Sequence, residues 1–486
     1  MPRTLRTSRG TTVAVAFAAV AAIVVGALIA TRPGDGDAAP SSDQPNIIVI
    51  MTDDQTIESM RVMPKVDELI AAQGVTFSDS IVSFPLCCPS RATFLTGQYS
   101  HNHGVRGNQL PNGGYESFDG QDTTLPVALQ RAGYDTVHIG KYLNGYGFDS
   151  PVDAPPGWSE WHTLLDPRAQ RYFGFTLLEN GVERKYGQDD YSTDVFTDLA
   201  TESIRSRAAA DAPLFLTVSY FAPHSDFSLE DEGLDAATPA PRHRGTFDGE
   251  PIPGPASFDE ADASDKPQSI QDLPRITEAV RTQITSNYAR YLESLLAVDE
   301  GVEAIVTALE EAGQLEDTVI VFTSDNGYFF GEHRVPAGKV RFYEPSIRVP
   351  LLIRGPGISA GATRRSLVAN IDLAPTILDL AGATSLRTMD GRSLVPLLEG
   401  EPEPEDRAIL LESTMGGPND LTPNYGVRTA RYAYFEQSTG EKELYDLSTD
   451  PDQLDNRHGD PELVAVETRL AEQVATLREC AGTACR

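Results

Sequence analysis

Short runs of apolar residues recur along the chain, and polar residues follow each of them. These runs are Asn46–Met51, Asp135–Ile139, Leu214–Val218 and Thr318–Thr323. Uninterrupted apolar runs of this length are typical of strands buried on both faces of a parallel sheet. Segments with helical periodicity lie between the runs and predict helices at Pro64–Gln73, Thr124–Ala132 and Arg281–Ala312, the last as one or two helices. Helices that alternate with buried strands predict an α/β fold.

The pattern changes near residue 405, where the segments become short. Four of them predict strands, at Ala408–Leu411, Tyr425–Thr429, Tyr432–Glu436 and Glu443–Leu447, and Leu463–Leu477 has the periodicity of an amphipathic helix. We therefore expect a main domain at 45–404 and a small α+β subdomain at 405–486, with an antiparallel sheet followed by a helix. Residues 226–274 are rich in Asp, Glu, Pro and Ala, which indicates an insertion or a long surface loop.

The amino-terminal segment has the composition of a targeting sequence. Arg3, Arg6 and Arg9 precede an uncharged run that ends at Thr31. Residues 1–32 are predicted to be a signal peptide or an uncleaved membrane anchor, and 33–44 a linker, so the remainder is exported. An exported compartment permits a disulfide between Cys480 and Cys485, whereas a metal pair there would have too few soft ligands nearby.

The net charge restricts the class of partner. The hydrophobic content of 40% and the charged content of 23% are ordinary for a soluble globular protein, but the net charge is -32. Such a chain is not expected to bind nucleic acid and has no general attraction for anions. An anionic substrate would therefore need cations that are concentrated in one pocket.

Pairs of oxygen-bearing side chains follow two of the predicted strands. Asp53 and Asp54 come after the first strand, and Asp325 and Asn326 come after the last. The carboxyl ends of strands in an open α/β sheet meet at one edge, where ligands bind. Four such side chains describe a site for a hard divalent cation, Ca²⁺ or Mg²⁺. The alternative is that these residues only cap helices.

The segment Cys87–Gly97 contains the most specific pattern in the chain. Pro89 suits the first turn of a helix that continues from Ser90 to Thr96, so Cys87 would lie at the amide-rich amino terminus. A tetrahedral oxyanion binds well at such a position. The alternative is a pair of buried or disulfide-bonded cysteines beside a helix start.

The spacing Cys-x-Pro-Ser-Arg from Cys87 to Arg91, followed by Leu-Thr-Gly, resembles the signature of the sulfatase family. The likeness covers roughly residues 45–456 and is narrower than the whole superfamily. It points to N-acetylglucosamine-6-sulfatases and extracellular heparan endosulfatases through His101–Val105, Lys141–Asn144, Pro155–Trp158, Ser324–Tyr328, Arg348–Leu351 and Glu443–Leu447. The resemblance implies the alkaline-phosphatase-like fold, in which helices sandwich a large, mixed, mostly parallel sheet.

The resemblance also implies the cofactor chemistry. In the family the first Cys of the pattern is oxidised after translation to formylglycine, an aldehyde that acts as its hydrate. By spacing this residue is Cys87 and not Cys88, and a formylglycine-generating enzyme would be its partner during maturation. One divalent ion, Ca²⁺ rather than Mg²⁺, would be held by Asp53, Asp54, Asp325 and Asn326, with residue 87 completing the coordination.

Further site residues are carried over by position. Arg91 would stabilise the aldehyde hydrate and the metal cluster. Lys141 and Lys339 would hold sulfate oxygens or assist the leaving group, and His224 would act as general acid or orient the sulfate.

One position departs from the pattern of many sulfatases, which have Lys-x-His after the strand. This chain has Leu143 there. The following Asn144 is a candidate substrate contact that can donate a hydrogen bond but cannot act as an acid. The remaining histidines could line the sugar side of the pocket or have structural roles; they are His101, His103 and His333.

The resemblance implies a sulfatase, and the amino-terminal segment implies that it is exported, either secreted or anchored to the outer face of the cytoplasmic membrane. Its expected substrates are 6-O-sulfated amino sugars or aryl sulfates, as small molecules or on a glycan. Two alternatives remain: a phosphodiesterase or phosphonate monoester hydrolase of the same superfamily, and an inactive carbohydrate-binding homologue.

Overall fold

The computed structural model describes residues 44–148, 153–166, 171–226, 236–402, 407–414 and 422–486. These residues belong to one compact unit. The predicted leader or anchor at 1–32 and all but the last residue of the predicted linker lie outside the described residues. None of the described helices combines the length and the hydropathy that crossing a bilayer requires. The division at residue 405 stays a prediction.

A ten-stranded sheet forms the centre of the molecule. Its strands lie in the order β10-β2-β9-β8-β1-β7-β3-β4-β5-β6, and the five from β8 to β4 are parallel neighbours. The pairs β2–β9, β8–β9, β4–β5 and β5–β6 are antiparallel, so the sheet is mixed but mostly parallel, as predicted. The strands are β1 Asn46–Thr52, β2 Val75–Ile81, β3 Asp135–Gly140, β4 Glu160–Leu164, β5 Thr176–Glu179, β6 Val182–Lys185, β7 Leu214–Ser219, β8 Thr318–Ser324, β9 Leu351–Arg354 and β10 Ala362–Ala369.

The helices that the sequence predicts are present, whereas the 15-residue helix Ser192–Ser206 was not predicted. The described α-helices are α1 Pro64–Val66, α2 Cys87–Thr96, α3 Ser100–His103, α4 Leu125–Arg131, α5 Ser192–Ser206, α6 Gln268–Gln271, α7 Glu278–Glu311, α8 Glu344–Ile347, α9 Leu373–Leu380, α10 Val395–Leu398 and α11 Val464–Leu477. The helix predicted at Pro64–Gln73 is α1 continued by a π turn at Asp67–Ala71. The segment Arg281–Ala312 is a single helix, α7. Gly301 lies within this helix. A Cβ at this residue would meet the hydroxyls of Thr197 and Tyr220 at 2.6 Å, so the close packing here requires glycine.

Helices cover both faces of the sheet. In β1, Ile48 and Ile50 pack into a core with α5 and α7, whereas Ile47, Val49 and Met51 pack into a second core with α2, α4 and α9. Successive side chains of a strand point to opposite faces, so a strand covered on both sides is apolar throughout. This explains why β1 is an unbroken apolar run.

A second, antiparallel sheet follows near the carboxyl terminus. Its order is β11-β12-β13-β14, and its strands are Ala408–Ser413, Asn424–Thr429, Tyr432–Glu436 and Lys442–Asp446. The apolar face of α11 packs on it through Leu470 and Val474 in a third core. A disulfide joins Cys480 to Cys485, whose Cα atoms are 5.3 Å apart. The predicted α+β arrangement is therefore confirmed.

The segment 226–274 has little regular structure where it is described. Residues 227–235 lie outside the described part, and from 236 to 274 only α6 is helical. The assignment of this segment as an insertion or long surface loop stays a prediction.

Candidate active site

Four neighbouring parallel strands deliver polar residues to one edge of the sheet. The strands β8, β1, β7 and β3 are adjacent and in register, with Thr52 opposite Ser324 and Gly140 opposite Ser219. Asp325 and Asn326 follow β8, and Asp53 and Asp54 follow β1. The segment that leads to His224 follows β7, and Lys141 follows β3. The parallel topology thus gathers chemistry that lies far apart in sequence, at the place where open α/β sheets bind ligands.

The turn after β1 fixes the first carboxylates. Asp53 is fully buried, and Asp54, which is 2% exposed, has a left-handed φ of 69°. The Asp54 amide donates to Asp325 Oδ1 at 3.2 Å, and Asn326 Nδ2 donates to Asp54 Oδ1 at 2.6 Å. The hydroxyl of Tyr291 on α7 donates to the Asp54 carbonyl at 2.9 Å. The sequence pattern does not indicate Tyr291 as a site residue, because it lies in a segment predicted to be a helix with an apolar face.

The helix α2 begins at Cys87, as the Pro89 pattern predicts. Cys87 Sγ lies 3.5 Å from Asp53 Oδ1 and 3.0 Å from Lys339 Nζ. Cys88 instead belongs to the apolar core beneath the sheet. Its backbone amide donates to Asn108 Oδ1 at 3.0 Å. The first Cys of the motif is therefore the one that faces the carboxylates.

Arg91 lies one helical turn beyond Cys87 and reaches back to the cluster. Its Nε donates to Asp325 Oδ2 at 2.8 Å, and Nη1 donates to the Lys141 carbonyl at 2.8 Å. Nη2 lies 3.5 Å from Asp53 Oδ2. Because the arginine is 4% exposed, these ion pairs are shielded from water. Arg91 therefore joins the ends of β1, β3 and β8.

Two lysines and a histidine complete the site. Lys141 Nζ donates to Asp53 Oδ2, and Lys339 Nζ donates to Asp54 Oδ1. His224 Nε2 lies 3.7 Å from Asp54 Oδ2, while its Nδ1 lies 2.8 Å from the Ser225 carbonyl oxygen. All three side chains predicted to meet sulfate therefore contact the carboxylates.

Burial and neighbouring charges shift the pKa values of Asp53 and Cys87 in opposite directions. Burial opposes ionisation of Asp53, but the charges of Lys141, Arg91 and Lys339, with that of His224 when it is protonated, outweigh burial and lower the pKa of this carboxyl. Burial, reinforced by the charge of Asp53, raises the pKa of the Cys87 thiol to about 12. The site thus holds ionised Asp53 beside a protonated thiol.

Neighbouring charges raise the pKa values of the two lysines, whereas burial lowers the pKa of His224. Burial would lower the pKa of Lys339, but the charge of Asp54 raises it well above its ordinary value. The pKa of Lys141 is raised too, because the attraction of Asp53 outweighs burial. For His224 burial dominates and lowers the pKa, despite Asp54 and Asp53. Both lysines therefore remain cations, and a neutral His224 is favoured.

The donor set fits a hard cation. Ligand atoms of Asp53, Asp54, Cys87 and His224 all lie within 4.8 Å of one another. Asn326 Oδ1 is buried and accepts no hydrogen bond within the described residues, so an amide oxygen remains available as a ligand. Carboxylate and amide oxygens suit Ca²⁺ or Mg²⁺. The soft thiol sulfur of Cys87 does not, whereas an oxygen at position 87 would.

The structure gives other partners to the histidines predicted to line the sugar side. His101 lies between Glu412 Oε1, at 3.1 Å, and the Cys480 carbonyl, at 2.9 Å. His103 is buried 3.1 Å from Thr93 Oγ1. His333 is fully buried, with Nδ1 2.7 Å from Glu260 Oε2. These contacts favour the structural alternative for the three histidines, and a sugar contact stays a prediction.

Asn144 lies near the motif cysteines. Its side chain is buried, and Oδ1 has no hydrogen-bond partner among the residues described. Its carbonyl accepts from the Tyr115 amide at 2.7 Å. Asn144 therefore stays a candidate for substrate binding.

Two family models match the chain. The model described as Sulfatase matches residues 45–383, and the model described as the carboxyl-terminal part of N-sulphoglucosamine sulphohydrolase matches 331–480. The first spans more than half of the chain and includes every residue of the site.

The chain belongs to the sulfatase family.

Curated relatives of this sulfatase cover most of its length. An arylsulfatase of Volvox carteri is 35% identical over 92% of the chain and 76% of its own length. The N-acetylglucosamine-6-sulfatase of Homo sapiens is 33% identical over 92% of the chain and 87% of its own length. This agreement makes the protein a sulfuric ester hydrolase by family.

Solved structures share the fold. The structure of BT4656 in complex with its substrate D-glucosamine-2-N,6-O-disulfate has a TM-score of 0.75 and 28% identity, and covers 89% of this chain and 97% of that one. The phosphonate monoester hydrolase of Agrobacterium radiobacter has a TM-score of 0.70 and 26% identity, with 90% and 95% covered. The predicted fold is thus confirmed.

Proposed function

We propose that this sulfatase is an exported enzyme that hydrolyses the 6-sulfate ester of amino sugars, and also aryl sulfates, through a formylglycine formed from Cys87. One observation carries the proposal. Cys87 is the buried first residue of α2, 3.0 Å from Lys339 Nζ and 3.5 Å from Asp53 Oδ1. Reactive group, metal ligands and cations therefore meet at one point.

The unmodified thiol is unsuited to nucleophilic attack, which favours a different group at residue 87 in the active enzyme. With a pKa raised to about 12 by burial and by Asp53, the Cys87 thiol stays protonated at neutral pH and is a poor nucleophile. A formylglycine hydrate would supply the nucleophilic oxygen and a second hydroxyl that lets sulfate leave. The conversion also replaces a soft sulfur by oxygen beside hard ligands.

Oxygen ligands support a single divalent ion, Ca²⁺ in preference to Mg²⁺. Asp53, Asp54, Asp325 and Asn326 would hold it, and it would polarise the sulfate and the residue-87 oxygen. Arg91 keeps Asp325 and Asp53 in place from the opposite side, through its contacts at 2.8 and 3.5 Å.

The cations provide sulfate binding. Lys141 and Lys339 are buried and remain protonated, so their ammonium groups can hold sulfate oxygens where water does not screen the charge. His224 keeps a proton on Nδ1, because this nitrogen lies at hydrogen-bond distance from the Ser225 carbonyl, which can only accept. Its Nε2 faces Asp54, so orienting the sulfate or acting as general acid requires a second proton on Nε2, in the imidazolium form that Asp54 favours. Asn144 directly follows Leu143, which stands at the position of the missing His, and it offers a buried amide there.

The charge of the protein favours a small or terminal substrate. Names of relatives include N-acetylglucosamine-6-sulfatases and arylsulfatases, and a related structure holds a sulfated glucosamine. A chain with a net charge of -32 repels a long polyanion such as heparan sulfate, and its sequence has no basic run to bind one. We therefore propose a free or terminal 6-O-sulfated amino sugar.

Sulfate release tests the substrate. N-acetylglucosamine-6-sulfate, an aryl sulfate and intact heparan sulfate would be compared at equal ionic strength. Turnover of the monosaccharide and the aryl sulfate, with slow release from the polymer, is expected. Fast release from the polymer with no turnover of the monosaccharide would overturn the substrate assignment but not the chemistry.

A phosphonate or phosphodiester activity is the second candidate, because a structural relative bears that name. Sulfate and phosphate esters have similar shapes, and two buried lysines suit either. The ratio of kcat/KM for an aryl sulfate and an aryl phosphodiester decides between them. The sulfatase proposal expects the ratio to favour sulfate.

Export is supported by the arginine-flanked uncharged run at the amino terminus and by relatives named extracellular sulfatases. Cell fractionation with detection of the mature amino terminus separates a secreted protein from an anchored one.

A further inference from the structure

Lys339 lies in a long segment without regular secondary structure. We call residues 327–343, between β8 and α8, the lysine loop. Its lysine must nevertheless hold a fixed position, because Nζ contacts both Asp54 Oδ1 and Cys87 Sγ. A loop of this length costs conformational entropy when it is ordered. The structure must therefore contain interactions that order it.

The loop is first closed on itself. The Phe329 amide donates to the Gly338 carbonyl at 2.8 Å, immediately before Lys339, and the two residues form an isolated β-bridge. The Gly331 amide donates to the Val335 carbonyl at 2.9 Å. The position of Lys339 is thus tied to that of residues 329–335.

Residues 257–276, which we call the brace, bind those same residues from outside. They belong mainly to the region that the sequence predicts as an insertion. Phe258 and Glu332 form an isolated β-bridge. The His333 amide donates to the Ser257 carbonyl at 2.8 Å, and the Asp259 amide donates to the Gly331 carbonyl at 2.9 Å. The contact is therefore continuous along the backbone.

Two side chains of the lysine loop anchor it to the brace. His333 Nδ1 lies 2.7 Å from Glu260 Oε2, and Glu260 is in turn paired with the buried Lys266 at 3.1 Å. Arg334 donates from Nε to the Glu260 carbonyl at 2.8 Å and from Nη2 to the Ala261 carbonyl at 3.0 Å. The His333–Glu260 contact is buried and the Arg334 contacts are partly exposed, and charge-assisted contacts of both kinds fix the geometry of the loop.

The backbone at the anchor adopts an unfavourable conformation. His333 has a φ of 52° and Arg334 a φ of 62°, both in the left-handed region that residues other than glycine seldom adopt. Such residues persist only where surrounding contacts hold them, and they cluster at functional sites. The anchors on Glu260 and its neighbours are those contacts.

We propose that the brace positions Lys339, and that His333 and Arg334 are positioning residues acting through it. The inference rests on the role that the proposed function gives to Lys339. Loss of an anchor would let the lysine loop relax and move the ammonium group away from Asp54 and residue 87. Misplacement by about 1 Å costs on the order of a hundredfold in rate.

A double-mutant cycle tests this in the full-length enzyme. His333→Leu removes the donor to Glu260, and we expect kcat for an aryl sulfate to fall about tenfold to a hundredfold. His333→Asn keeps a donor at the position of Nδ1 and should restore most of the activity. In a Lys339→Ala background, His333→Leu should cause no further loss, because its effect passes through the lysine.

Arg207→Leu is the matched control. It breaks another largely buried ion pair, between Arg207 Nη2 and Glu160 Oε1 at 2.5 Å, at the first residue of β4 and so at the end of the sheet opposite the site. It should lower thermal stability as His333→Leu does but leave kcat unchanged. Arg334→Ala provides a second test with less disruption of the core, since Arg334 is only partly buried.

The outcomes distinguish failure of the role proposed for Lys339 from failure of the role proposed for the brace. If Lys339→Ala retains full kcat, the proposed role of Lys339 fails, and the brace with it. If Lys339→Ala is impaired but the losses from His333→Leu and Arg334→Ala multiply with it, the brace is only structural and the inference is wrong. A matching loss of kcat in Arg207→Leu would also overturn it.

Discussion

Arg91 offers the most quantitative perturbation of the site. We consider Arg91→Met, which keeps a long flexible side chain and removes the charge. The arginine side chain is 4% exposed and the side chains of Asp325 and Asp53 are 0% exposed. The substitution therefore leaves two buried carboxylates without their shared cation and removes the donor to the Lys141 carbonyl.

Removing one partner of a buried ion pair costs about 3–5 kcal/mol. We expect Arg91→Met to lower the free energy of unfolding by about this amount in the metal-free protein. Lys141 still neutralises part of the charge of Asp53, which favours the lower end of the range. A divalent ion would replace the missing charge, so excess Ca²⁺ should stabilise the variant by more than it stabilises the wild type.

Urea denaturation with and without excess Ca²⁺ measures both effects, provided that the m value is unchanged. Arg91→Lys is the matched control: it retains the charge but cannot reach all three acceptors, so it should lose less stability. A loss below about 1 kcal/mol in metal-free Arg91→Met would refute the account of Arg91, since a buried pair cannot be broken so cheaply. Equal Ca²⁺ effects in variant and wild type would refute the link to the metal.

Three further predictions concern pH, metal and disulfide. Burial lowers the pKa of His138 from 6.5 to about 3, so its contribution to stability is complete above pH 6.5 and is lost as the pH falls toward 3, by about 2 kcal/mol at pH 5. In urea unfolding, the free energy of unfolding of His138→Phe should therefore fall less steeply with decreasing pH than that of the wild type, and equal slopes would count against this prediction. Asp325→Ala should abolish Ca²⁺ binding in calorimetry together with activity, whereas full metal content would contradict the ligand set. The double substitution of Cys480 and Cys485 by Ser should cost about 2 kcal/mol of stability, because the closed loop is short, and leave kcat unchanged; lost activity would show that the terminus supports the site.

The sequence predicts those features that depend on local pattern. The strand β1 is an unbroken apolar run because both of its faces are covered, so its position could be read directly. Parallel strands place their carboxyl ends at one edge, so the meeting of Asp53 with Asp325 followed from topology. The position of Cys87 at a helix start followed from Pro89.

Side-chain direction could not be predicted in the same way. His333 lies beside the active-site loop in sequence, but it points to Glu260, which is 73 residues away in a segment without periodicity. His101 likewise contacts a carboxylate of the second sheet, 311 residues away. Long-range polar pairs leave no periodic signal, so a histidine near a motif gives no indication of which partner it meets.

The chemical state of residue 87 tests the central claim most directly. Purified enzyme from a host that can form formylglycine would be alkylated and digested, and the peptide that contains Cys87 and Cys88 examined by mass spectrometry alongside an aryl sulfatase assay. The account predicts an aldehyde at position 87, an unconverted Cys88, and activity in proportion to the converted fraction. Full activity in protein whose Cys87 is an alkylatable thiol would contradict it.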